Sequence, residues 1–162
     1  IEKQAFLVAK LTDWEEFDLL PGTANIYFDG TYIGETTLNP NTLQETLELA
    51  LGRDRSIIIE RKKKKEEEDP KLIGSFSTKT LAFEITVKNT KSVPVNVIVQ
   101  DQVPVSQNDE IKIDIKNDGK ASLAQSTGVL TWRYELPPRQ THKHVFEYEI
   151  VYDKNKNIAS VF

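Results

Sequence analysis

The sequence holds no cysteine and no methionine in 162 residues. Without cysteine there is no disulfide, no thiolate zinc site and no cysteine nucleophile. That absence suits an oxidising or a reducing compartment equally. Without methionine there is no initiator, so a chain opening at Ile1 is expected to be a processed chain or an excised domain. No apolar run approaches the roughly 20 residues of a membrane span, and no signal-peptide pattern opens the chain. Glycine and proline number seven each, and no G-x-S-x-G elbow or phosphate-cradling glycine loop is among them. A basic surface is missing too. The net charge of −4 divides into −7 over residues 1–60 and +3 over the rest. The small basic excess is interleaved with acids, so neither a phosphate-tracking surface nor a nucleic-acid partner is expected.

What is present is alternation. A chain of this length is one domain by size and can bury roughly 70% of its unfolded surface, so it needs no metal or disulfide to fold. Leu81, Phe83, Ile85 and Val87 alternate with Ala82, Glu84, Thr86 and Lys88, the period-2 pattern of a half-buried strand. Asn89-Thr90-Lys91-Ser92 has turn chemistry, and Val93, Val95, Val97 and Val99 then alternate with Asn96, Ile98 and Gln100. The stretch Leu81 to Ser106 therefore predicts an antiparallel hairpin at the centre of a sheet.

On the N-terminal side, Phe6 and Val8 open a strand ending near Leu11, and Leu19-Leu20-Pro21-Gly22 closes the segment with a turn. Asn25-Ile26-Tyr27-Phe28 and Thr31-Tyr32-Ile33 flank Asp29-Gly30, a pair suited to the positive φ of a type I′ hairpin. Residues 43–51 fit both periods: Leu43, Leu47 and Leu51 at helical spacing, Leu47, Leu49 and Leu51 at strand spacing. Strand is favoured because Gly52 to Arg55 then turns into Ile57-Ile58-Ile59; a short helix near Leu43 is the alternative. Arg61 to Asp69, RKKKKEEED, is either an electrostatic tether to a partner or, more plainly, a solvated loop or hairpin tip. Its Lys-before-Glu order is the poorer one for helical ion pairs.

Beyond the central stretch, Ile111, Ile113 and Ile115 mark a strand, and Asn117-Asp118-Gly119 a turn. Ala121 to Gly128 is patterned as a loop. Leu130, Trp132, Tyr134 and Leu136 share one face of the next strand, which Pro137-Pro138 stops. Phe146, Tyr148, Ile150 and Tyr152 form the last long one. About 8–11 strands with at most one short helix predict an all-β antiparallel β-sandwich, immunoglobulin-like in general architecture. The single domain spans residues 1–162, with sub-lobes 1–60 and 72–162 joined by the charged segment 61–71.

Two sets of side chains are candidates for a site. His142 and His144, the only histidines, stand at i and i+2, so on a strand they point the same way. With one carboxylate such a pair would hold a metal and serve a metal-assisted hydrolase. The plainer reading is a solvated polar stretch, since Arg139 to Lys143 advertises no second shell. Trp14, Tyr27 and Tyr32 lie near polar turns. They line either a sugar- or peptide-binding face or ordinary packing, with Tyr27 and Tyr32 as a cross-strand pair. Asp114 to Gly119 fails as a calcium loop, because Lys116 stands at the third position and Gln125 where a bidentate Glu belongs. Asp101, Asp109 and Glu110 are expected in solvated loops, and Trp132, Tyr134, Phe146 and Tyr148 in the core. Nothing here amounts to a catalytic set, so a non-enzymatic module without cofactor is expected.

Several stretches also share a pattern in order along the chain. They are Asp13-Trp14 with Leu19 to Gly22, Asn25 to Gly30 with Tyr32-Ile33-Gly34, and Leu51-Gly52-Arg53-Asp54. Val87-Lys88-Asn89, Asp101 to Ser106, and Trp132 followed by Leu136-Pro137 continue it. This order resembles the C-terminal domain of mucoidy-inhibitor-A-like bacterial proteins, a family without established function. The resemblance implies the end of a longer protein with a smaller N-terminal domain and a coiled coil between. It also implies a periplasmic, cell-envelope or extracellular address. With no catalytic set and no apolar run of membrane length, a protein partner or the parent's other domains is expected as ligand, a glycan on the aromatics Trp14, Tyr27 and Tyr32 is the alternative, and no membrane insertion is expected. The resemblance supports the strand reading of Leu47 to Leu51. Pro138-Arg139-Gln140 departs from the family's Pro-Gly-Glu-like turn, and no catalytic residue carries over.

Overall fold

A computed structural model describes residues 4–28, 30–39, 46–70, 75–108 and 110–153. The chain forms two compact units, divided between Arg55 and Ser56. In the smaller, β1 (Phe6–Thr12) pairs antiparallel with β4 (Thr46–Arg53), and β2 (Gly22–Phe28) with β3 (Thr31–Leu38). A 3-10 turn, Trp14–Phe17, follows β1. The β2–β3 hairpin has the expected register, Tyr27 opposite Tyr32, with Gly30 at φ +78. Asp29 lies outside the described residues, as do residues 40–45, where the short helix near Leu43 was the alternative. From Thr46 onward the segment is strand.

The larger unit is the sandwich. One sheet runs β5 (Ile57–Pro70), β6 (Phe76–Asn89), β11 (Thr141–Asp153), β8 (Lys112–Asn117). The other runs β7 (Val95–Gln102), β10 (Val129–Leu136), β9 (Ser122–Ala124). Every pairing is antiparallel. Four strands on three is the layering of an immunoglobulin constant domain, but the order is its own. Here the last strand, β11, sits beside the second strand of the unit, a place the fifth strand takes in that domain.

The alternation in β6 and β11 puts Leu81, Phe83, Ile85, Val87, Phe146, Tyr148 and Ile150 on the inner face of one sheet. Val99, Leu130, Trp132 and Leu136 meet them from the other, and all are buried. Phe83 stacks on Phe146 and Tyr148 at 5.4 and 6.1 Å between ring centres. Among the described residues, no helix is long and apolar enough to cross a membrane.

Three expectations are corrected. The central hairpin does not form: β6 pairs with β5 and β11, whereas β7 pairs with β10 in the opposite sheet. A strand pair joined side by side and one facing itself across a core have the same period-2 pattern, so alternation could not separate them. The crossing is held by Asn89, which is fully buried. Its amide Nδ2 donates to the carbonyls of Val93, Leu136 and Pro137 at 2.9, 3.2 and 3.1 Å, and its Oδ1 accepts from the Lys91 N–H. Asn89→Ala is expected to cost about 2–3 kcal/mol, because a fully buried amide and its hydrogen bonds to both sides of the crossing are lost together. Urea denaturation of the two proteins measures this, and a loss below about 0.5 kcal/mol would mean the crossing is held elsewhere.

The charged run is likewise neither loop, tip nor joining segment. It is the body of β5, an edge strand of the larger unit. Its charges find partners: Lys62 with Glu60, Lys63 with Glu66, Lys65 with Glu67, and Glu66 with Lys79 of β6, at 2.7–3.1 Å. A charged edge strand satisfies its backbone on one side and discourages pairing with another chain on the other. Third, the stretch 121–128 holds a short strand, β9, which escaped notice because three residues are too few to show a period.

Candidate functional site

Strand β11 continues N-terminally past the core aromatics through the two histidines, so His142 and His144 fall on the inward face with Phe146. The structure brings them together, with ring centres 4.6 Å apart. Tyr134, on β10 of the opposite sheet, closes a triangle with them at 4.8 Å from His142 and 5.0 Å from His144. Trp132 lies against His144 at 4.9 Å. Its indole N–H donates to the Gly119 carbonyl at 2.8 Å, in the expected Asn117-Asp118-Gly119 turn. Gly119 has φ +62, and a Cβ there would meet the Val145 carbonyl oxygen at 2.5 Å, so only glycine fits.

His142 is at the rim and exposed; His144 is buried. The solvated reading of this stretch therefore holds for one histidine and not for the other. His144 Nε2 and the Tyr134 hydroxyl are both buried without a hydrogen-bond partner. Desolvation, with the neighbouring His142 second, lowers the His144 pKa to about 4, which leaves the imidazole neutral at pH 7. Desolvation raises Tyr134 to about 12. Among the described residues no carboxylate joins the pair in a group of three metal-binding side chains. The signal that Tyr134 belongs here was its parity with Trp132, but parity alone assigned it to core packing.

The second candidate is on the smaller unit. Tyr27 and Tyr32 are 65% and 52% exposed and meet edge to face, with centres 5.5 Å apart and planes at 61°. They form a cross-strand pair and are accessible at the same time; at that angle they do not make one flat surface. Asn25 and Glu35 are opposite each other on the same strands and also exposed. Trp14 starts the 3-10 turn, and its side chain lies outside the described residues.

Asp101, expected in solvent, is buried on β7 and bound to Arg61 of β5. Arg61 Nε donates to Oδ2 at 2.7 Å and Nη2 to Oδ1 at 3.4 Å. The guanidinium also lies 3.8 Å over the Phe83 ring. The arginine was hidden as the first letter of a charge run. Asp109 lies outside the described residues. A groove of about 540 Å³ along β8 and β9, lined by Ile113, Ile115 and Leu123 under Asp114, Lys116 and Gln125, contains none of the predicted site residues. Lys116 there is held by Asp114 and Glu149, which raise its pKa.

Comparison with known proteins adds a family and one relative. The family model described as Domain of unknown function (DUF4139) matches residues 8–154. Protein F37C4.5 of Caenorhabditis elegans is 26% identical over 161 aligned residues, covering 89% of this chain and 28% of the worm protein. The chain thus spans under a third of that relative's length. No solved structure matches the chain.

Proposed function

The chain belongs to the DUF4139 family of domains of unknown function, and from that premise we propose that it is a non-enzymatic protein-interaction module. The observation that carries this is the division of burial. Among the described residues, every fully buried side chain lies between Ser77 and Tyr152, and none lies in the unit Gln4–Arg55. That unit instead exposes Phe6, Val8, Phe17, Leu20, Tyr27, Tyr32 and Ile33. Two-stranded sheets cannot bury enough apolar surface to be stable alone, and apolar residues concentrated at a surface mark contact with another protein.

The partner in this reading is another protein or another part of a longer parent chain. The resemblance to the C-terminal domain of mucoidy-inhibitor-A-like proteins supports a parent in the bacterial envelope or outside the cell. The test is co-purification from the native host with the unaltered protein and with Phe6→Ser/Val8→Ser, changes at exposed positions that leave the sandwich core untouched. Loss of specific partners from a folded variant is expected. The same partner list for both proteins would sink the reading.

The exposure of Tyr27 and Tyr32 beside Asn25 and Glu35 favours a second reading, a carbohydrate-binding surface. One ring would stack on a sugar while the polar side chains take its hydroxyls. A glycan array with Tyr27→Ala as control decides it; no glycan bound at millimolar concentration would remove it.

A further inference from the structure

We propose that His142, His144 and Tyr134 form a binding site for one divalent transition-metal ion of the copper(II) or zinc type, seated between the two sheets at the end of the sandwich.

The first argument is unsatisfied chemistry. His144 is 6% exposed, and its Nε2 and the Tyr134 hydroxyl are enclosed with no partner. Buried polar atoms in native proteins are almost always satisfied, and two orphans on rings whose centres are 5.0 Å apart call for a third party, an ion or a water. The second argument is geometry. Residues at i and i+2 of a strand project from the same face, so the two imidazoles can reach one ion together. Their ring centres lie 4.6 Å apart, and the Tyr134 ring, from the opposite sheet, lies 4.8 and 5.0 Å from them. The third is donor type. Imidazole suits copper, zinc and nickel, whereas calcium and magnesium want carboxylates, and none of the described carboxylates groups with this pair. A phenol joining as phenolate gives its proton to water, and positions left open on the ion fall to water.

The placement also allows entry. His142 is exposed at the rim, so an ion would meet it first and then the deeper Nε2. Once bound, the ion would tie β10 of one sheet to β11 of the other.

Because these are the chain's only histidines, and Trp132 lies 4.9 Å from His144, the experiment is clean. Chelator-treated protein in a Trp14→Phe background, with Trp132 as sole tryptophan, is titrated with copper(II) and with zinc by calorimetry and fluorescence. One ion per chain at micromolar concentration is expected, with copper quenching Trp132 and either ion raising the melting temperature. His142→Gln, at an exposed position, should weaken binding at least tenfold while the protein stays folded. Tyr134→Phe should weaken it less. The proposal is overturned if neither ion binds at micromolar concentration, leaving a buried water as the third party. It is equally overturned if His142→Gln binds as the unaltered protein does, or if bound copper leaves Trp132 unquenched.

Discussion

Asp101→Ala is expected to destabilise the sandwich by about 3–5 kcal/mol, because it removes the buried partner of a largely buried ion pair and leaves the guanidinium without its counter-ion. The Asp101 side chain is 1% exposed and that of Arg61 20%. The carboxylate also accepts the Gln102 N–H at 2.7 Å, so three donors lose their acceptor together. The contact joins β5 of one sheet to β7 of the other, so the loss should appear as lower stability of the whole sandwich. Urea unfolding with an unchanged m-value would record it. Arg61→Met combined with Asp101→Leu should recover most of the loss, since apolar side chains of similar volume often replace a buried pair at little cost. A single substitution costing under about 1 kcal/mol would show that water reaches the pair.

The second large effect is expected at Phe146. It is fully buried, stacked on Phe83 and 6.1 Å from Trp132, at the point where the two inner faces meet. Phe146→Ala removes apolar contact and leaves a cavity between sheets that cannot close without moving both, a combination worth about 3–5 kcal/mol. The neighbouring Val145 points outward and is 38% exposed. Val145→Ala should therefore cost under about 1 kcal/mol. Thermal and urea denaturation of the pair test the alternation itself. Equal losses at the two positions would contradict the assigned face of β11.

Alternation along single strands was legible from residues alone. Period-2 runs placed β6, β10 and β11 and named Phe83, Trp132, Phe146 and Tyr148 as core, because burial on one face of a sheet leaves a mark on every second residue. Turn chemistry placed the β2–β3 hairpin and the turn at Gly119, since positive φ selects a few residue types. The candidate residues Tyr27, Tyr32, His142 and His144 were visible as rare or exposed-looking side chains. Their surroundings were not. Which strand lies beside which is a choice among pairings with the same period, so the central hairpin was drawn where two sheets face each other. The roles of Asp101, Arg61 and Asn89 depend on partners 40 or more residues away, and no local pattern encodes a long-range ion pair. A run of charge reads as solvent unless one knows that a sheet edge and a facing strand supply its partners. Tyr134 joins the histidines only because β10 and β11, adjacent in sequence, end in opposite sheets. Composition and alternation thus determined that the chain is all-β and what fills its core; the stacking of two sheets decided which polar residues are buried together.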